Sequence, residues 1–362
     1  MRTYPSPAHA GKARHVVVAR DKAAYLGRPF EGGLWSFDEG RELLVGALCK
    51  PCNYRKRWDM EESFLLRDDV SFRTWRSRDG GLSWQADREI FNLPRLKLLA
   101  ARKKLPAIRF PADNPGLLVF AGSAQLDDVP GAVIAFSTNR GKTWQGPKLY
   151  SCPFANRKTL AQSSSLLRPD GKRLLFLAGM GPDQTLRPVV VAIAAGQPDF
   201  QVMGLVPADP DGDMLWPSAV LCPDGSLLLA CTWRCANSPG HTLIFRSGDL
   251  GRTWDFVSRA NEIGQPGHLA VLADGRLLLT YGWPLPPYRI LARCSADQGR
   301  TWGSELIVRE QGGSPDLGSV RTVIRGDGRM VSVYQWNEPG EKAAFYGGVR
   351  HIAATIWDLN PA

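Results

Sequence analysis

Three aspartates are the first candidates for chemistry in this chain. Asp213 and Asp316 stand shortly before strand-like apolar runs, and Asp59 lies in a polar segment further upstream. Hydrolysis of a glycosidic bond needs two carboxyl groups, one protonated and one ionised, on either side of the bond that breaks. Loop carboxylates are common, so each is weighed against the reading of an ordinary solvated side chain.

A histidine and a tyrosine add a second kind of chemistry. His268 opens the strand-like run 267–272, and Tyr281 ends the next one. Close to arginine side chains a histidine is shifted toward its neutral form, so it can act as a base. Together these two residues could abstract a proton beside a uronate, as a polysaccharide lyase does. No ligand spacing among the histidines or cysteines indicates a metal site, and no metal or cofactor is predicted.

Arginines from four separate segments accompany these groups, namely Arg28, Arg234, Arg289 and Arg321. Guanidinium groups that face one site repel one another, so the arrangement makes sense where a carboxylate or sulfate binds. The alternative is that each arginine pairs with a carboxylate at the rim. Trp336 and Tyr281 are candidate platforms for a sugar ring, with ordinary packing as the alternative.

Four copies of one pattern frame these residues. They begin at Ser77, Ser137, Ser247 and Ser295 and read Ser-x-Asp/Asn-x-Gly-x-Ser/Thr-Trp. The carboxylate or amide accepts backbone N–H groups, the glycine supplies a positive φ, and the tryptophan buries a large ring under the next strand. The pattern is a self-contained turn, and its repetition predicts a tandem array of strands.

A second series of tight turns sets the number of units. After a longer first interval their glycines recur about every 50–55 residues, a period suited to a four-stranded propeller blade. Six such turns predict an all-β, six-bladed β-propeller, with an insertion in the first blade. The turns are Asp38-Glu-Gly40, Asn114-Pro-Gly116, Asp170-Gly171, Asp224-Gly225, Asp274-Gly275 and Asp327-Gly328.

The N-terminal segment is predicted to close the ring. The sixth blade lacks a fourth strand of its own, and the apolar run 14–19 supplies one. Pairing it beside the last blade would complete that blade and hide two sheet edges. Residues 1–362 are therefore predicted to form a single domain, with the site on the face opposite the tight turns, where the longer loops converge.

Composition narrows the partners and the location. The net charge of +10 suggests an anionic partner. The arginines are scattered along the sequence, with no basic helix or aromatic strip of the kind that binds nucleic acid, so no nucleic-acid partner is predicted. No segment is apolar enough to span a membrane, so no membrane partner is predicted. Residues 1–12 lack a secretory signal, which predicts a cytoplasmic protein, or a secreted or periplasmic one if a signal was removed. The seven cysteines indicate reduced thiols rather than a disulfide framework.

The four turn motifs resemble the Asp boxes, or BNR repeats, of the sialidase-like superfamily. The resemblance covers nearly the whole chain and is strongest over 274–282 and 350–357. It implies a six-bladed propeller that works on carbohydrates. Asp boxes also occur in non-catalytic proteins, so they indicate the fold more than the function.

The resemblance also assigns roles by position. It implies that Arg28, Arg234 and Arg289 form an arginine triad. It also implies that Asp59 is the acid/base and that Asp213 is the carboxylate that activates the nucleophile. Ser319 stands where similar proteins often have a tyrosine. A serine does not replace a phenol as an anionic nucleophile without a dedicated base.

Three functions follow from these observations. The first is a sialidase-like exo-glycosidase acting on an acidic or polar glycan, with Asp59, Asp213, His268 and Asp316 as catalytic candidates. Its predicted substrate-binding residues are Arg28, Arg234, Tyr281, Arg289, Arg321 and Trp336. The alternatives are a non-catalytic glycan-binding propeller and a polysaccharide lyase acting on uronates.

Overall fold

The computed structural model describes residues 7–56, 59, 69–101, 109–126, 129–151, 153, 158–197, 199–236, 238–264, 266–341 and 347–361. The chain is built almost wholly from short strands. The first part contains β1 (Ala8–Ala19), β2 (Ala24–Gly27), β3 (Leu34–Phe37), β4 (Glu42–Pro51), β5 (Ser71–Ser77), β6 (Gln85–Asn92), β7 (Leu118–Leu126), β8 (Val129–Ser137) and β9 (Gln145–Tyr150), with the helices α1 (Pro29–Gly32) and α2 (Leu93–Ala101) and a 3₁₀ turn at Asp38–Gly40.

The remaining strands follow in the same antiparallel manner. They are β10 (Thr159–Leu160), β11 (Ser165–Leu167), β12 (Arg173–Met180), β13 (Leu186–Ile193), β14 (Gln201–Leu205), β15 (Asp213–Leu221), β16 (Leu227–Arg234), β17 (His241–Ser247), β18 (Asp255–Arg259), β19 (Gly267–Val271), β20 (Leu277–Trp283), β21 (Arg289–Ser295), β22 (Leu306–Arg309), β23 (Gly318–Ile324), β24 (Met330–Trp336) and β25 (His351–Pro361). No helix in the described ranges is long and apolar enough to cross a membrane.

The strands form an all-β propeller in which four smaller sheets and one large sheet surround an axis. Within the described residues the smaller sheets contain β2–β6, β7–β9, β10–β14 and β15–β18. The large sheet has eight strands in the order β19-β20-β21-β22-β1-β25-β24-β23. It nearly closes on itself, because its end strands β19 and β23 lie side by side at the axis.

The prediction of six blades is wrong, because the strands predicted to form the last two belong to one sheet. β1 pairs antiparallel with β25, from Arg14 opposite Ile356 to Ala19 opposite Ile352. It also pairs in parallel with β22, where Ala8 lies opposite Leu306. The N-terminal strand therefore joins two sets of strands, whereas the sequence predicted that it would complete the last one alone.

Apolar side chains pack between neighbouring sheets and form the core. Phe176 of the third sheet, for example, packs in one cluster with Met214 and Trp254 of the fourth. Phe72 and Phe120 join the first two sheets, with their ring centroids 4.9 Å apart. Buried apolar contacts of this kind hold neighbouring sheets together.

The repeated turns have the hydrogen bonds that the sequence predicts. In the last copy, Asp297 accepts the backbone N–H of Thr301 at 2.9 Å and the Thr301 hydroxyl at 2.6 Å. The Ser295 hydroxyl donates to the same carboxylate at 2.8 Å. These bonds, those of Thr301 foremost, lower the pKa of Asp297 to about 2. The turns are thus rigid staples at the end of the propeller opposite the candidate site.

A circuit of hydrogen bonds runs around the axis. Each link joins an inner segment to the next one around the ring, and the last returns to α1. The links are Ser123 N–H to Glu31 at 2.9 Å, Ala161 N–H to Ser123 at 2.9 Å, Ala219 N–H to Ser164 at 3.3 Å, Leu269 N–H to Ser218 at 3.1 Å, Thr322 N–H to His268 at 3.3 Å and Arg321 to the Phe30 carbonyl at 2.7 Å. Polar side chains at the axis are therefore part of the framework.

Candidate functional site

Asp316 is a fixed carboxylate at the end of the axis where the loops converge. It lies in the loop before β23, and its Oδ2 accepts a hydrogen bond from Nε of Arg350 at 2.8 Å. Its Oδ1 accepts from Nε2 of Gln335 at 2.6 Å. Arg350 is fully buried, whereas 32% of the Asp316 side chain remains exposed. The carboxylate is thus held from behind and open to solvent in front.

Gln335 connects this carboxylate to the first sheet. Its Oε1 accepts the Tyr25 hydroxyl at 3.1 Å and the backbone N–H of Arg28 at 3.1 Å. Burial raises the pKa of Tyr25 well above its ordinary value, and the nearby Asp316 adds to that effect. Tyr25 is therefore a neutral phenol that donates a hydrogen bond to Gln335.

Arg28 sits in a constrained backbone position at the start of α1. Its φ of 55° is in the left-handed region, which side-chain-bearing residues rarely occupy. Its Nη1 donates to Glu31 Oε1 at 2.7 Å, and both residues are buried. Glu31 thus balances the charge of this predicted anion-binding arginine.

Arg321, on the inner strand β23, has a different environment. Nη2 and Nε donate to the same acceptor, the Phe30 carbonyl, at 2.7 and 3.3 Å. Only 5% of the residue is exposed. Among the described residues no carboxylate lies within 4.0 Å of it, and burial lowers its pKa to about 9. A buried cation without a counter-ion favours the binding of an anion beside it.

His268 lies next to Arg321 on the neighbouring strand. Burial, together with the charge of Arg321, holds its pKa well below 6.5. Its Nδ1 accepts the Thr322 N–H, so that nitrogen is unprotonated and the proton of the neutral ring is on Nε2. His268 therefore has a framework role and one remaining donor.

An aromatic group borders the site on the side of the fourth sheet. Trp216 packs edge-on against Phe30 with 5.8 Å between centroids, and the Arg234 guanidinium lies 5.8 Å from the Trp216 ring. Asp213 is exposed and stands opposite Arg234 in the β15–β16 ladder. The predicted pair Asp213 and Arg234 is thus brought together beside the Phe30 segment.

Asp59 is placed by its neighbours. Its carboxylate accepts the Asn53 N–H at 2.8 Å, and its backbone carbonyl lies 3.8 Å from the Cys52 sulfur. Burial raises the pKa of Cys52 to about 12, and the charges of Asp59 and Asp316 act in the same direction. Tyr54, in the same segment, accepts the Arg350 N–H at 3.0 Å, and Arg350 holds Asp316, so Asp59 lies on the same side of the ring as Asp316.

Three predicted substrate-binding residues lie elsewhere. Arg289 pairs through Nε with Glu310 at 3.2 Å, next to the outer strand β22. Tyr281 is fully buried, and its hydroxyl donates to Glu305. Trp336 is also fully buried, with the Arg309 guanidinium 4.3 Å from its ring. Neither aromatic ring is available to stack on a sugar, because both belong to the core.

The pair that a lyase would use is not assembled. Tyr281 stands opposite Gly267 in the β19–β20 ladder, whereas His268 stands opposite Thr280. Because successive side chains point to opposite faces of a strand, Tyr281 and His268 are directed to different sides of the sheet. His268 reaches the axis, and Tyr281 reaches the core between sheets.

Arg350 and Gln335 are site residues that sequence reasoning missed. Each lies at or near a strand end or a helix, and its charge or amide is satisfied by a partner distant in sequence, such as Asp316 for Arg350. The available signal was the string Arg350-His351 directly before an apolar run. Charge at a strand start is common, so that signal could not identify a partner.

Comparison with known proteins supports the fold. No family description and no curated protein matches the sequence. A protein of unknown function from Dyadobacter fermentans superposes with a TM-score of 0.74 at 19% identity, covering 96% of this chain and 99% of that one. The chain is thus similar along its full length to a protein without an assigned activity.

Two solved glycosidases have the same fold at lower similarity. A Trypanosoma rangeli sialidase, solved with the inhibitor DANA, gives a TM-score of 0.62 at 10% identity over 96% of this chain. This chain spans 60% of the length of that sialidase. An alpha-L-arabinofuranosidase variant from Fusarium graminearum, solved with an iminosugar inhibitor, gives 0.59 at 12% identity, covering 93% of this chain and 97% of that one. The chain therefore shares the propeller fold of these two enzymes.

Proposed function

We propose that this chain is a sialidase-like exo-glycosidase that acts on a glycan bearing an anionic group. The observation that carries the proposal is the buried, carboxylate-free guanidinium of Arg321 at the axis. A sugar carboxylate or sulfate would supply the missing negative charge there. The glycosidase neighbours support carbohydrate as the substrate class.

The proposed roles belong to residues that lie on both sides of the Phe30 segment. Arg321 and Arg234 bind the anionic group, and Trp216 borders the sugar. Asp316, fixed by Arg350 and Gln335, acts as the ionised carboxylate that activates water or stabilises the positively charged transition state. Asp59 or Asp213 protonates the leaving oxygen. The reaction consumes one water molecule and needs no other reactant.

The proposal also covers the repeated turns, which belong to the framework that supports the site. We take the four Ser-x-Asp/Asn-x-Gly-x-Ser/Thr-Trp staples as Asp boxes of the sialidase-like superfamily, because three of the copies share the Ser–Asp and Asp–Ser/Thr hydrogen bonds. In the second copy Asn139 takes the place of the aspartate. The staples hold sheet ends and take no part in the reaction.

One observation favours a second candidate, a non-catalytic glycan-binding propeller. Ser319, which stands where similar proteins often have a tyrosine, is mostly buried, with a φ of 53°. It has no base hydrogen-bonded to it among the described residues, so it is not an activated nucleophile. Such a propeller would keep the anion site and lack turnover.

The test is a panel of aryl glycosides and acidic oligosaccharides with the variant Arg321→Met. Removal of the guanidinium should weaken binding of acidic sugars by about 2–5 kcal/mol and leave neutral sugars unaffected. The matched control is Arg173→Met. Arg173 is equally buried, at 5%, and also donates only to backbone carbonyls, those of Ala112 and Asn114, but it lies at the turn end of β12.

The outcomes separate the two functions. Turnover of an acidic glycoside that falls in Arg321→Met and persists in Arg173→Met supports the glycosidase. Specific binding without turnover on any substrate supports the binding propeller. Equal loss of affinity in both variants, or unchanged affinity in Arg321→Met, overturns the anion site.

A further inference from the structure

A groove of about 250 Å³ lies away from the axis, between the first two sheets. It follows β6, the outermost strand of the first sheet, and is completed by the start of α2 and by the turn that precedes β9. We call it the β6 groove and define it by Arg88, Glu89, Asn92, Arg95, Lys142 and Trp144. None of these residues belongs to the axial site.

Three cations border the groove. Arg95 and Lys142 are exposed, and among the described residues neither has a carboxylate within 4.0 Å. Arg88 is exposed as well and has only a distant partner, Asp87, at 3.9 Å. These charges come from β6, from α2 and from the turn that precedes β9, so the fold brings them together around one space. Their mutual repulsion is relieved if an anion binds there.

The wall of the groove is rigid and partly aromatic. Trp144 is partly buried and packs against Trp35 with 5.5 Å between ring centroids. Phe91, on the opposite side, is buried in the core with Phe72 and Phe120. A fixed indole beside cationic groups offers a surface on which a sugar ring can pack while its acidic substituent meets an arginine or lysine.

The groove also contains hydrogen-bond acceptors. The Glu89 carboxylate lines the groove and is held only loosely by Arg73 at 4.0 Å. The Asn92 Oδ1 accepts the Arg95 N–H at 3.2 Å, which leaves its amide N–H₂ group to donate. The Glu89 carboxylate can accept hydrogen bonds from sugar hydroxyls. The set therefore suits a ligand that has hydroxyl groups as well as separate anionic groups.

We propose that the β6 groove is a second glycan-binding site, specific for an acidic polysaccharide with carboxylate or sulfate groups. Arg95 and Lys142 bind the anionic substituents, Glu89 accepts hydroxyl groups, and Trp144 packs against a sugar ring. The site is independent of the axial one and holds the polymer without reacting with it. It remains a site whether or not the axial site hydrolyses any glycan.

The repeat itself provides a matched control. Lys142 follows the glycine of the second turn motif, and the same position holds Arg252 in the third copy and Arg300 in the fourth. Both are exposed and stand outside the groove. The double variants R95Q/K142Q and R252Q/R300Q therefore remove the same net charge, the first from the groove and the second from outside it.

The experiment is affinity electrophoresis through gels that contain polygalacturonate, dextran sulfate or neutral dextran. R95Q/K142Q should weaken retention by at least about tenfold in one or both acidic gels, because two charge-assisted contacts are lost. R252Q/R300Q should migrate like the native chain. The polygalacturonate and dextran sulfate gels distinguish a carboxylate from a sulfate ligand.

Further readouts make the result decisive. Equal loss of retention in both double variants would mean general charge attraction and would overturn the site, as would equal retention of the native chain in neutral dextran. An equal loss of binding to single-stranded DNA would also overturn it in favour of a phosphate site. Matching thermal unfolding midpoints of the two variants exclude misfolding. Hydrolysis of small aryl glycosides, if found, should be the same in all three proteins.

Discussion

Arg350 donates from its Nε to the Oδ2 of Asp316 across 2.8 Å, and the arginine is fully buried while the carboxylate is partly open to solvent. The two residues are 34 positions apart in sequence. The pair places a negative charge at the end of the axis where the loops converge, and it fixes the direction in which that charge points. A substrate would therefore meet an oriented carboxylate.

Loss of this arginine is expected to affect both stability and function. Arg350→Met should lower the free energy of unfolding by about 1–3 kcal/mol, below the range for fully buried pairs because Asp316 is partly exposed. Urea denaturation measures the change. The control is Arg276→Met, which breaks an exposed pair with Asp274 and should cost under about 1 kcal/mol. A loss no larger than that of the control would contradict the role of the buried pair.

The predicted arginines should separate into two groups. Arg234→Ala removes a guanidinium beside Trp216 and should weaken binding of acidic sugars by about 2 kcal/mol or more, with little effect on folding. Arg289→Ala removes the partner of Glu310 and should lower the melting temperature without changing affinity. Calorimetric titration and thermal unfolding of both variants decide the point. A loss of affinity for acidic sugars in Arg289→Ala would contradict this prediction and show that Arg289 belongs to the binding site.

Acid should destabilise the fold through His268. The unfolded imidazole has a pKa of 6.5, and the folded one is well below it, so below pH 6.5 the unfolded chain binds a proton that the folded chain excludes. Stability is therefore complete above pH 6.5 and falls as the pH is lowered toward the folded pKa. His15 and His241, with folded pKa values of about 4, act in the same direction.

The variant His268→Asn isolates this contribution. The asparagine Oδ1 can accept the Thr322 N–H in place of Nδ1, and it does not titrate. Stability measured by urea denaturation from pH 8 to pH 5 should thus depend less on pH than in the native chain. His268→Ala should instead lose about 1 kcal/mol already at pH 8, because the N–H is left without its acceptor. An unchanged pH slope in His268→Asn would refute this assignment.

The turn motifs offer a test of local chemistry. Asp297→Ala removes the acceptor of three hydrogen bonds, from Thr301 and Ser295, and should cost about 1–3 kcal/mol. Asn139→Asp converts the one amide copy to the carboxylate form and should change stability by no more than about 0.5 kcal/mol. Chemical denaturation of both variants gives the comparison. A destabilising Asn139→Asp would show that the copies are not interchangeable.

Two adjacent valines report on the strand that joins the halves of the large sheet. Val18 is buried at 6% exposure, whereas Val17 is 54% exposed on the same strand. Val18→Asp buries an unpaired carboxylate and should cost about 3 kcal/mol or more, or give insoluble protein. Val17→Asp should fold normally. Solubility and melting curves of the two variants test whether β1 is essential, and a well-folded Val18→Asp would show that it is not.

The local parts of the fold could be predicted from sequence, because their physics is local. The staple around Asp297 needs only residues within a few positions of one another, and its hydrogen bonds form as expected. The pairing of β1 with β25 was also visible as an apolar run without a partner. Its second contact pairs Ala8 with Leu306 and His9 with Ile307, a stretch too short to leave a pattern in the sequence, so six blades were predicted in error.

The site was only partly predictable for a similar reason. Asp316 and Arg321 follow from their place before or on an inner strand. Which cation faces which carboxylate depends on sheet geometry, so the partners Arg350 for Asp316 and Glu310 for Arg289 could not be inferred. Tyr281 was placed at the site because it ends a strand, yet the pleat directs it to the core.

The circuit of hydrogen bonds around the axis makes the propeller a closed mechanical linkage. In an open chain of sheets a lengthened joint would simply displace whatever follows it. In a ring the angular steps between sheets must add up to one full turn, so a change at one joint is taken up by all the others. Ser218 lies on β15 and Glu31 on α1, yet each takes part in the same circuit. The width of the opening, and hence the size of any ligand it admits, is a property of the whole ring.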